Sequence, residues 1–243
     1  MSKQTDLINI PDAITVDGNT IYVDSNGQDA GYNPLQIGNT SNSNTIVQIL
    51  SANNGIGTIH FGDAASGSGR YIGFMNYDHT IDQFQIGTND SSRFKIDASG
   101  RVTTPNQPAF VATNISTNTI ANEGTPIFNN TVTNRGSIYN TSNGRFTVTV
   151  AGLYALGAHV RVHSDTNTIS YHRVSFTKNG SYIQHTRGRL EGRTSGDYSY
   201  IANYLIIELA VNDYIATRVE TASGTTLNIS GNDECSFYGH LIG

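Results

Sequence analysis

No segment of this 243-residue chain sustains the three-and-four spacing of an amphipathic helix; its apolar residues recur at every second position, between short turn sequences. Alternation puts successive side chains on opposite faces of an extended strand, so the pattern predicts an all-β fold. In residues 145–150, Phe146, Val148 and Val150 share one face, and Arg145, Thr147 and Thr149 the other. Val174 and Phe176 lead into Asn179-Gly180, two residues that accept the positive φ of a type I′ turn, and Tyr182 and Ile183 begin the return strand. Residues 202–211 are apolar enough to pass for a helix. Flanking turns and missing caps favour a strand buried on both faces, with Tyr204 and Ile206 opposite Leu205, Ile207 and Leu209.

The first hundred residues predict shorter strands at 20–23, 45–50, 58–61, 70–74, 84–86 and 93–96, separated by turns such as Asn53-Asn54-Gly55 and Gly67-Ser68-Gly69. Each offers only two or three apolar side chains. Burial at about 25 cal/mol per Å² then falls short of an ordering cost of about 1–2 kcal/mol per residue. Three copies wound round one axis would share a core that a single copy lacks, so this half is expected to fold only as a trimer. Pro105 and Pro108 hold their neighbours extended and donate nothing to a ladder. They mark the expected junction between an N-terminal β-rich region, residues 1–104, and a C-terminal head, residues 105–243.

Charged residues make up only 14% of the chain, with a net charge of −5, and Asn, Ser, Thr and Gly fill the gap. Such a surface gathers neither nucleic acid nor an anionic membrane. Residues 1–10 contain no apolar run that reads as an export signal or a membrane span, so no membrane insertion is expected. The single cysteine, Cys235, has no partner for an intrachain disulfide and reads as a buried core residue. No ligand spacing supports a metal or a cofactor, and no nucleophile elbow, phosphate loop or His-Glu-x-x-His motif supports an enzyme.

From Phe128 onward the pattern becomes specific. Phe128, Val132, Asn134, Gly136 and Tyr139 precede Gly144-Arg-Phe-Thr-Val148 and Gly152-Leu-Tyr154. Asn179-Gly180, Asn212-Asp213 and a terminal Phe237-Tyr-Gly-His-Leu-Ile242 follow in order. This ordered set resembles the C1q-like domain. The resemblance implies a ten-strand jelly-roll sandwich that forms a homotrimer through one sheet face. Residues 57–63, 70–74 and 94–102, the last reading Phe-Lys-Ile-Asp-Ala-Ser-Gly-Arg-Val, resemble fibre segments of tailed-phage structural proteins. They imply a short-stranded shaft that binds other virion structural proteins. With no export signal seen, the expected setting is a virion, as a tail fibre or spike whose head recognises host surface polysaccharide or lipopolysaccharide. A capsid decoration protein and a glycan-degrading tail spike are the alternative roles.

Two loops supply the candidate ligand residues. Arg187, Arg189 and Arg193 are followed by Tyr198 and Tyr200. Guanidinium forks suit carboxylate or phosphate, and phenol rings stack on sugar faces. The bland alternative pairs those arginines with Glu191 and Asp197. In the second loop, His163 and Asp165 are the candidates, with Asn167 nearby. Alternation also places His159, Arg161 and His163 on one face, a polar stripe suited to solvent or to a pH-responsive subunit interface.

Overall fold

A computed structural model describes residues 14–17, 20–23, 43–44, 46–114, 116–163, 169–193, 198–221, 226–231 and 234–243. The chain divides into two compact units, residues 1–51 and 52–243. In the first, β1 (Ile14–Asp17) pairs antiparallel with β2 (Thr20–Val23), Ile14 opposite Val23. The strand expected at 45–50 does not form over residues 46–50: they pair with no neighbour, and their apolar side chains are exposed.

The second unit begins with a five-stranded antiparallel meander. Its strands are β3 (Ile56–Phe61), β4 (Gly73–Asp78), β5 (Gln83–Thr88), β6 (Ser91–Ile96) and β7 (Val102–Thr103), in that spatial order. The strand expected at 70–74 starts later, at Gly73, because Gly67–Tyr71 forms a 3-10 turn. The Asp63 N–H donates to the Gly69 carbonyl at 2.8 Å to close that loop. The junction expected at 104/105 lies inside this unit, between the meander and the head.

The head is a sandwich of two sheets. The larger contains β8 (Ala109–Thr113), β9 (Asn118–Ile120), β10 (Asn130–Arg135), β13 (Gly152–His163), β17 (Tyr198–Leu209), β19 (Leu227–Ile229) and β20 (Ser236–Leu241). The smaller contains β11 (Tyr139–Asn140), β12 (Arg145–Thr147), β14 (Ile169–Lys178), β15 (Ser181–Tyr182), β16 (Gly188–Arg193) and β18 (Tyr214–Thr221). Seven and six strands thus stand where ten were expected, and five of them are only two or three residues long. Asn179 and Gly180 adopt φ of 52° and 83° at the tip of the β14–β15 hairpin, as that dipeptide predicts.

Aromatic rings join the two layers. Phe110 on the larger sheet stacks on Phe146 and Tyr139 of the smaller, with centroids 5.1 and 5.3 Å apart. Phe237 stands edge-on to Phe110 at 4.8 Å and reaches Phe176 across the layer at 5.8 Å. All these rings are buried, each contributing about 1.5–3 kcal/mol of burial and roughly 0.5–1.5 kcal/mol more per favourable ring pair. The core runs from Phe110 to Leu241, entirely within the head. Cys235 lies in it, fully buried as expected. Val150 departs from its predicted face: β12 ends at Thr147, and Val150 is exposed beyond Phe146 and Val148, which are buried.

The chain enters the head beside its last strand. The Leu241 N–H donates to the Pro108 carbonyl at 3.0 Å, and the Leu153 N–H to the Gly243 carbonyl at 2.9 Å. The incoming and outgoing ends of the head therefore sit together, at the Gly152 end of β13.

Candidate functional site

The outer face of the larger sheet is built by β13 and β17, which pair along their whole length. Alternate residues of β17 are buried, so Tyr198, Tyr200, Ala202, Tyr204, Ile206 and Glu208 line the other face. On β13 the same face carries Leu153, Ala155, Gly157, His159, Arg161 and His163. The expectation of a strand buried on both faces is corrected here. Tyr204 is 73% exposed and Ile206 68%, because no described residue forms a third layer beyond the larger sheet.

The face divides into two halves along the strands. Near the incoming chain it is mainly apolar, with Glu208 at its edge opposite Leu153. Ala155, Leu156, Tyr204, Leu205, Ile206, Tyr238 and His240 surround a hollow of about 280 Å³. Gly157 creates its floor: a Cβ there would stand 2.4 Å from the Tyr238 ring, so only glycine lets that ring lie across β13. Burial, then the neighbouring Tyr204 hydroxyl, pushes the Tyr238 phenol pKa up.

The far half is aromatic and polar. His163 pairs with Tyr198 and Arg161 with Tyr200. Tyr198 is 45% exposed and Tyr200 52%. The Arg161 guanidinium lies 3.6 Å above the Tyr198 ring and 5.4 Å from that of Tyr200, and it is ion-paired with Glu234. His159 stacks on Tyr200 at 5.5 Å with the planes 12° apart, and His163 tilts against Tyr198 at 4.7 Å. β19 pairs with the end of β13 and brings Asn228 opposite His163, with its Nδ2 3.5 Å from Nε2. Thr119 on β9 donates to Asn228 Oδ1 at 2.8 Å, fixing that amide. Behind the cluster, the Cys235 sulfur accepts the Arg161 N–H at 3.1 Å, and burial pushes its thiol pKa up. That thiol holds a backbone and is no nucleophile.

This arrangement offers two phenol faces rimmed by a guanidinium, two imidazoles, an amide and a carboxylate. Such a surface stacks on the apolar face of a sugar ring and hydrogen-bonds its hydroxyls. Among the described residues no three His, Cys, Asp or Glu side chains gather to hold a metal, and no helix is long and apolar enough to cross a membrane.

The residues singled out in the sequence are partly brought together. His163, Tyr198 and Tyr200 meet in one cluster although two different loops suggested them. Arg187 and Arg189 do not join it, because the chain crosses from the smaller sheet to the larger between β16 and β17. Arg187 bonds Glu220 at 3.2 Å and covers Tyr182 at 4.5 Å. Arg189 pairs with Glu191 at 2.8 Å, as the bland alternative held, and covers Tyr171 at 4.3 Å. Asp165, Asn167, Asp197 and the side chain of Arg193 lie outside the described residues; the Arg193 backbone pairs with Ile169. Asn228 and Glu234 were not among the candidate ligand residues, since only the register of distant strands recruits them.

Residues 109–242 match the family profile described as the C1q domain. Among solved structures, the globular domain of zebrafish complement 1qA protein is 17% identical, over 56% of this chain and 98% of that one, with a TM-score of 0.44. The Eiger TNF from S. frugiperda is 10% identical, over 56% of this chain and 93% of that one, with a TM-score of 0.40. No curated protein matches the sequence.

Proposed function

This chain belongs to the C1q domain family, and on that premise we propose that it is a non-enzymatic fibre or spike protein of a phage virion. It acts as a homotrimer that adheres to host surface polysaccharide or lipopolysaccharide. The observation that carries this reading is the divided outer face of the larger sheet. Its apolar half holds Tyr204 and Ile206 in water, a cost that identical neighbours remove by covering them. Its far half presents Tyr198 and Tyr200 among hydrogen-bonding groups, which suits a glycan. The far half also lies at the opposite end of β13 from the incoming chain. Ten residues at about 3.3 Å each separate the ends by roughly 33 Å, so a shaft entering at one leaves the other free for a receptor. Three heads on one shaft add avidity, which makes weak single sites sufficient. The fibre-like segments at 57–63 and 94–102 support the shaft and its attachment to the particle.

Replacing both rings, Tyr198→Ala with Tyr200→Ala, tests the reading. Adsorption of particles to host cells should drop while the purified chain keeps its fold and its mass. Undiminished adsorption refutes the ligand site, and a label at the C-terminus seen on the capsid lattice rather than at a fibre tip favours the decoration role.

A further inference from the structure

The two faces of the meander differ in chemistry. Direct pairing sets Ile59, Met75, Ile86 and Phe94 in one row across four strands. The adjacent row on that face is Gly57, Tyr77, Phe84, Ile96 and Val102. No residue in either row is charged. The opposite face carries His60, Asn76, Asp78, Gln85 and Lys95 beside two apolar residues, Ile56 and Phe74, and the Phe74 ring lies over Gly87. An antiparallel sheet with one apolar face normally packs that face on a core. Here Gly87 is the one buried residue among the described residues of the meander, and every residue of the apolar rows stays at least partly exposed.

We propose that the cover is the same face of two further copies, so that three meanders close a triangular prism round one axis. The inference rests on the homotrimeric reading above and assigns it a second contact. Dimensions favour three copies. Five strands about 4.8 Å apart make a face about 19 Å wide. Each face of an equilateral prism lies at about 0.29 of its width from the axis, here about 5.5 Å, close to half of the ~10 Å between packed sheets. Ordinary side chains then fill the axis without a channel and without collision. An uncharged face also suits its own copy, since closure strands no buried charge. The central strand, β5, stands nearest the axis, so the three copies of Phe84 and Ile86 converge there, while β3 and β7 lie at the corners.

The test uses the full chain with one added thiol. Ile86→Cys and Phe84→Cys place it on the apolar face, and Gln85→Cys places it on the other face of the same strand. The unmodified chain, whose Cys235 is buried, is the blank. A short trifunctional maleimide applied to the native protein should yield covalent trimers from Ile86→Cys and Phe84→Cys, with that product lost for Gln85→Cys. Sedimentation equilibrium of the untreated chain gives its mass. A trimeric mass with no difference between the two faces overturns the prism and leaves the head's assembly standing. A monomeric or dimeric mass overturns both.

Discussion

Ile206 gives the sharpest test of the head's proposed assembly. Its side chain is 68% exposed in one copy, on the apolar half of the outer face. Full burial of an isoleucine is worth about 1.5–3 kcal/mol, so covering the exposed two thirds contributes roughly 1–2 kcal/mol per chain. Three chains bring this to about 3–6 kcal/mol, or roughly 10²- to 10⁴-fold in the trimer's dissociation constant. Ile206→Ala in a head fragment, residues 105–243, should weaken association by that factor in sedimentation equilibrium. The fragment is a fair vehicle, because the buried core lies wholly within it. In the dissociated chain the methyls already face water, so unfolding of the monomer should move by less than about 0.5 kcal/mol. An unchanged association constant, or a large loss of monomer stability with association intact, would refute the assignment of this face as the contact.

Four further outcomes follow from individual contacts. The Tyr139 hydroxyl is buried and accepts the Phe128 N–H at 3.2 Å, so Tyr139→Phe strands that donor and should cost about 1–3 kcal/mol in urea unfolding of the head. Asp213 is held down from 3.8 to about 2 by Lys178, then by Asn179 and the Ala210 N–H. A depressed acid stabilises the fold above its unfolded pKa of about 3.9; that contribution fades as pH falls toward 2, so the melting-temperature gap between the native chain and Asp213→Asn should close over that window. Gly157→Ala puts a methyl against the Tyr238 ring and should destabilise the head by about 1–3 kcal/mol, read as a lower denaturant midpoint. Arg189→Ala breaks an exposed pair with Glu191 and an exposed stack on Tyr171, so stability should change by less than about 1 kcal/mol, and host adsorption should fall far less than with Tyr198→Ala and Tyr200→Ala.

What the sequence disclosed was what neighbouring residues decide among themselves. Asn179-Gly180 specified its turn because the positive φ values are local. The alternation of His159, Arg161 and His163 specified a shared face for the same reason. Residues 46–50 are apolar enough for a strand, yet among the described residues no partner pairs with them, and pairing leaves no local trace. Tyr204 and Ile206 looked like core, because an apolar side chain left on an outer face has the composition of one already buried. Arg187 and Tyr198 looked like neighbours, because eleven positions in sequence hide a crossing between sheets. Asn228 and Glu234 reach the aromatic cluster only through the antiparallel return of the last strands, which no local pattern encodes.

The hydrogen bonds that tie Pro108 to Leu241 and Leu153 to Gly243 set both ends of the head at one edge of the sandwich. A domain joined to its carrier along a single edge is an exchangeable cassette. Recombination within the proline-bearing segment at 105–108 would transplant it whole, core and outer face together, onto another N-terminal region. Under the proposed adhesin role, such an exchange changes host range in one step, without rebuilding the N-terminal region.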